Sequence, residues 1–121
     1  MRQAAQTYGA IATKTGSPRD LEADLLLTAA AKLQTVRDGW DTKRPELGPA
    51  LHYNRKLWSI FVTSATSKDN PLPAAIRQNV ANLGLFVFKQ TLTVLADPKP
   101  ENLGSLININ RQIAAGLLGR A

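Results

Sequence analysis

The side chains able to do acid–base or nucleophilic chemistry are few, and their spacing pairs none of them. His52 is the one imidazole, with Tyr53 beside it and no serine or cysteine at nucleophile-motif spacing, so it reads as a helix-edge histidine. Cysteine is absent, which removes disulfides and thiolate ligands, and a single histidine removes any multi-histidine metal site. The nine carboxylates are spread over loops and one helix, with no Gly-rich phosphate loop and no nucleophile elbow nearby. The expectation is a protein that is not an enzyme, with no catalytic residue, no metal and no cofactor.

The amides are more informative. Asparagine is a mediocre helix former, yet Asn54, Asn79, Asn82, Asn108 and Asn110 all fall inside helical patterns. Asn54 interrupts the apolar stripe Leu47, Leu51, Trp58, Phe61, and Asn110 interrupts Leu103, Ile107, Ala114, Leu117. An amide in a core must be hydrogen-bonded or cost about 1–3 kcal/mol, and in coiled coils such a residue sets register at the expense of stability. Asn54 and Asn110 therefore read as internal structural amides, with a role in gripping a partner helix as the alternative. Trp40 and Trp58, both at apolar positions, read as core.

The elements that position these residues are marked by clear punctuation. Ser17-Pro18-Arg19-Asp20 reads as an N-cap, a proline at the first helical position and an early carboxylate. Leu21, Leu25, Ala29, Leu33, Val36 and Trp40 follow at helical spacing, with Leu26 widening the face, before a loop at 41–49. A further helix starts near 46–49 and runs to the breaker at 67–73. The next occupies 71–97, and a last one runs from about 101 to 118. Residues 2–13 suggest a short N-terminal helix with Tyr8 and Ile11 on one face. No segment alternates in the β manner for long. The spacing predicts an all-α fold, one small bundle of four main helices plus a short N-terminal helix, as a single domain over 1–121. Leu25, Val36, Trp58, Phe61, Val80, Leu83 and Ile113 are the expected core.

The helix over 71–97 is unusual in carrying two apolar stripes. Ile76, Val80, Leu83, Val87 and Val94 line one side, and Ala81, Leu85, Phe88 and Leu92 line the other. Such a helix is either central in its own fold or keeps one side for a partner. Asn79, Asn82 and Phe86 lie between the stripes with Arg77 and Gln78 nearby, an arrangement equally suited to gripping another chain and to closing a loop.

Composition restricts the remaining classes. Hydrophobic content of 44% with 20% charged residues is that of a folded globular chain. The start, Met1 to Thr7, is too polar for a secretory signal peptide, and no apolar run approaches the roughly 20 residues of a membrane span. A cytoplasmic protein without membrane insertion is expected. The net charge of +6 invites nucleic acid, but the cations are scattered. They are also unevenly opposed: no Asp or Glu lies between Leu47 and Lys68 or between Asn70 and Ala96, while Arg55, Lys56, Arg77 and Lys89 do. These cations are either solvated or turned toward an acidic surface.

Four strings together resemble a known family. They are Ser17-Pro18-Arg19-Asp20-Leu21-Glu22-Ala23, Leu51-His52-Tyr53-Asn54-Arg55-Lys56-Leu57-Trp58, the run from Asn70 to Phe88, and the run from Leu106 to Leu117. Over nearly the whole chain the sequence resembles the bacterial flagellar biosynthesis regulator FlaF, most specifically at Asn82-Leu83-Gly84-Leu85-Phe86 and Ile107-Asn108-Ile109-Asn110-Arg111. The resemblance implies a non-enzymatic protein needed for flagellin production and export, with FlbT as a counterpart that restrains flagellin synthesis. Two mechanisms fit that role. One is a chaperone that covers the helical terminal region of flagellin and links secretion to synthesis. The other is a post-transcriptional activator acting on flagellin mRNA or its translation.

Surplus apolar faces and scattered charge favour the chaperone, since RNA binding wants a basic patch with stacking aromatics. Homodimerisation through the second stripe is a further use of the same face. Read from the stripes, the partner-binding candidates are Arg77, Asn79, Asn82, Leu85, Phe86, Phe88, Lys89 and Leu92.

Overall fold

A computed structural model describes residues 18–119, and all its regular elements are helical. Four main helices, α1 (Pro18–Asp38), α3 (Leu47–Thr66), α4 (Ala74–Ala96) and α5 (Gly104–Leu117), are joined by short connections. The fold is a small all-α bundle, as the periodicity predicts. The expected N-terminal helix and the Ser17 cap lie outside the described residues.

One connection departs from expectation. The stretch read as a loop at 41–49 is a helical turn, α2 (Trp40–Lys43), and a 3-10 turn (Arg44–Glu46) leading into α3. The chain bends at Gly39, whose N–H still bonds Thr35 O at 3.1 Å and whose own carbonyl accepts from Lys43 N at 2.7 Å. Pro45 and Pro49 each sit in a first turn, where the missing N–H costs nothing. A second 3-10 turn (Pro100–Leu103) precedes α5 and buries Leu103.

The central helix is α1. It buries Leu21, Ala23, Leu26, Ala29, Ala30, Leu33 and Val36, which occupy more than one side, and it packs chiefly against α5 and α3. Three of those seven are alanines, so backbones can approach it closely on both sides. Asp20 in its first turn and Arg37 in its last complement the helix dipole. The core continues through Leu51, Leu57 and Trp58 of α3 and Leu106, Ile107 and Ala114 of α5. Of the seven residues expected in the core, Val36 and Trp58 are buried, while Leu25, Phe61, Val80, Leu83 and Ile113 are half-buried against the cluster. In a bundle this small most helix positions keep one edge in solvent.

Between α3 and α5 the contact is polar. Trp58 Nε1 donates to Asn110 Oδ1 at 2.8 Å, and Asn110 Nδ2 donates to Asn54 Oδ1 at 2.6 Å. All three side chains are buried. Asn54 Nδ2 has no hydrogen-bond partner among the described residues. Trp58 also meets the Phe61 ring edge-on, with centroids 5.8 Å apart.

This chain of bonds ranks two substitutions. Asn54→Ala removes an unpaired donor together with the acceptor of Asn110 Nδ2, and should cost about 1–3 kcal/mol. Asn110→Ala strands the Trp58 N–H and the Asn54 carbonyl together and should cost more. Urea unfolding measures both, and an Asn110→Ala variant as stable as Asn54→Ala would contradict the network.

Candidate functional site

Helix α4 sits at the edge of the bundle, packed mainly against α3, with the Pro100–Leu103 turn beside it. Its buried residues are Gly84, Val87, Thr91 and Val94, spaced by three, four and three. They are small. Thr91 satisfies its hydroxyl within the helix by donating to Val87 O at 2.7 Å. At Gly84 the two helices lie close: a β-carbon there would overlap Val62 Cγ2 and stand 3.7 Å from Trp58 Cε3. A glycine in mid-helix costs about 1 kcal/mol in propensity, and this contact is the reason for it. Sequence reasoning missed Gly84, although that unfavourable placement was the available signal.

The larger apolar residues of α4 point outward. Leu85 is 54% exposed, Phe86 42%, Leu92 66% and Leu95 56%. At 100° per residue, Leu85 and Leu92 lie about 140° and about 120° from the middle of the buried seam. Phe88 is half-buried and packs against the core, so it belongs to the margin of the exposed face rather than its centre. Ala81 is also half-buried. Ile76, which shares a stripe with Val80, Leu83, Val87 and Val94, is 46% exposed in the first turn of α4. Leu95 extends the outward row by three residues from Leu92, a continuation that the spacing held but the sequence reading did not use.

The polar candidates divide. Arg77 Nε donates to Leu72 O at 3.1 Å, so this guanidinium closes the 67–73 connection. Asn82 Oδ1 accepts from Gln78 Nε2 at 3.0 Å along the exposed side. Asn79 and Lys89 are exposed. A shallow depression between α3 and α4 is lined by Ala65, Thr66, Ala74, Arg77, Gln78 and Ala81. Gln90 Nε2 bonds Asn102 O at 2.9 Å and ties the C-terminal half of α4 to the second 3-10 turn.

His52 is exposed, with its Nδ1 3.3 Å from an Arg55 guanidinium nitrogen. Burial raises the Tyr53 hydroxyl above its ordinary pKa of 10.0, and Lys32 Nζ lies 5.1 Å from the Tyr53 ring centroid. Among the described residues no cluster of three or more His, Asp or Glu could hold a metal ion. None of the described helices is long and apolar enough to cross a membrane. What the α4 face offers is therefore contact area rather than reactive groups: a row of apolar side chains edged by amides and one lysine.

A family model described as flagellar protein FlaF matches residues 4–117 of the chain. No curated protein and no solved structure matches it.

The two sides of α4 should respond oppositely to substitution. Leu92→Asp, on the exposed row, should change stability by about 0.5 kcal/mol or less. Gly84→Ala should destabilise by about 1–3 kcal/mol through overpacking against Val62, and Val62→Ala in the same chain should recover much of that loss. Thermal melts followed by circular dichroism decide both; a neutral Gly84→Ala would mean that α3 and α4 are further apart than described.

Proposed function

The chain belongs to the FlaF family of flagellar proteins, and from that premise we propose that it is a non-catalytic cytoplasmic binding protein for flagellin. On this reading it holds a helix of flagellin's terminal region and so promotes flagellin synthesis and secretion during flagellum assembly. The observation that supports it best is the outward row Leu85–Leu92–Leu95 on a helix whose opposite side is already packed. Exposed apolar residues at three- and seven-residue spacing fall on one face of a helix, as a helix-in-groove contact requires. Leu85, Phe86 and Leu92 form the centre of the docking face, with Asn82, Phe88 and Lys89 at its margin. Arg77 supports the face by holding the preceding connection, and Asn79 lies beyond its edge. FlbT, as the opposing regulator, is a second proposed partner.

The alternative is a post-transcriptional activator that contacts flagellin mRNA, and the net charge of +6 favours it. Against it stands the aromatic content of the α4 face, where Phe86 is the exposed ring, one platform where single-strand binders use several.

Salt separates the two. Phosphate contacts give a slope of roughly −0.7 in log affinity per contact on single strands, whereas apolar burial tolerates salt. Immobilised flagellin should retain the protein at high salt, and Leu85→Asp or Leu92→Asp should abolish retention while the melting temperature is kept. Submicromolar, sequence-selective binding to flagellin mRNA by the protein alone, with no flagellin retention, would reverse the ranking.

A further inference from the structure

Every carboxylate of the chain lies outside α3 and α4, and this bears on what covers the outward row. Along α4 the row runs Ala81, Leu85, Phe88, Leu92, Leu95, with spacings of four, three, four and three. That is a heptad seam, and it extends about 21 Å at 1.5 Å per residue. Lys89 follows Phe88 on its solvent side and is exposed. On α3, Arg55, Ser59, Val62 and Thr66 share one flank. Val62 is the side chain against Gly84, and Thr66 shares a depression with Ala74, Gln78 and Ala81, so this flank is turned toward α4. Arg55 is exposed on it. An apolar seam thus lies beside cations from two helices, with no anion on either.

Resting on α4 as the docking face, we propose that its occupant is a single amphipathic helix of another protein whose own apolar seam is flanked by carboxylates. The carboxylates meet Lys89 and Arg55 while Leu85, Phe88, Leu92 and Leu95 take the partner's apolar residues. A second copy of this chain is the wrong occupant, because seam against seam would bring Lys89 and Arg55 of both copies together without a counter-charge. An anionic membrane is also disfavoured. Helices that lie on membranes carry several cations on the polar face, whereas the solvent side of α4 holds Gln78, Asn79, Asn82 and Thr93 around one lysine.

The test uses the full chain and two designed 21-residue helical peptides with the same Leu/Ile seam, one flanked by Glu and the other by Lys. By fluorescence anisotropy at low salt, the Glu-flanked peptide should bind about tenfold more tightly, the effect of rim ion pairs turned from repulsion to attraction. The double variant Arg55→Glu/Lys89→Glu should reverse that preference. Lys56→Glu, on the next position around α3, should leave it within about twofold. Leu92→Asp should abolish binding of both peptides with the melting curve kept, and Leu85→Asp serves as the second variant.

Equal affinity for the two peptides, or binding of neither, overturns the proposal. So does tighter binding to phosphatidylcholine/phosphatidylglycerol vesicles than to the Glu-flanked peptide, or a sedimenting dimer that Leu92→Asp dissociates. Unfolding of both aspartate variants would place the seam inside the fold and overturn it as well. Flagellin provides the distinction from the functional reading. Flagellin retained equally by wild type and Arg55→Glu/Lys89→Glu refutes the charge-matched helix and leaves flagellin binding standing. Capture of the Glu-flanked peptide without flagellin retention does the reverse.

Discussion

The bonds that run from Trp58 through Asn110 to Asn54 set where α3 stands, and α4 is placed by α3. Both α3 and α5 pack on the central helix α1 by apolar contact, and apolar contact alone leaves rotation and sliding cheap. A directional bond from one amide to another, with an indole N–H on the remaining carbonyl, admits one rotational setting of α3 and α5. The same setting turns the Trp58 ring toward Gly84. Burying two amides is costly unless their capacity is used, and three of the groups involved are paired. The unpaired Asn54 Nδ2 is the part of that cost that remains. Geometry, more than net stability, is what such a network contributes.

A second constraint comes from residue size. Three alanines on α1 let its neighbours come close from both sides, so the centre of the bundle is filled by α1. That leaves α4 at the periphery, joined by a seam of a glycine, a threonine and two valines. A peripheral helix usually turns its largest apolar residues inward. Here that order is partly inverted: Leu85, Leu92 and Leu95 face solvent while Leu83 and Phe88 pack inward, and at Gly84 the side facing α3 is trimmed until the helices approach closely.

How much of this is visible in the sequence follows from the same physics. Helix limits were legible because prolines interrupt a steady 3.6-residue period at 67–73 and 97–100. Asn54 and Asn110 were legible because a polar residue inside an apolar stripe has few explanations, and the structure pairs them. Which stripe of α4 faces inward was not legible, since both have the same period and both are apolar. Steric fit decides it, through Gly84 and Val62, and fit between distant segments leaves no periodic trace. Likewise the helical turns at 40–46 were hidden by Pro45 and a run of polar residues, which suit a first turn as well as a loop.

On the reading proposed above, the inversion in α4 lets one helix serve a fold and a partner together. Substituting a large residue for Gly84 or Thr91 would push α4 away from α3, whereas changes at the exposed positions Leu85, Leu92 and Leu95 leave the packed seam untouched. The two seams are therefore free to respond to separate demands: small residues inward for close approach, large ones outward for contact area. Phe88 marks the boundary. It is half-buried against the core yet belongs to the heptad row, so its ring is held by the fold while one edge remains open to a partner. A side chain anchored in that way loses little conformational entropy on association, which suits the margin of a docking face better than a freely rotating leucine would. The exposed leucines contribute area and Phe88 contributes rigidity, and both depend on the position that Asn54, Trp58 and Asn110 impose on α3.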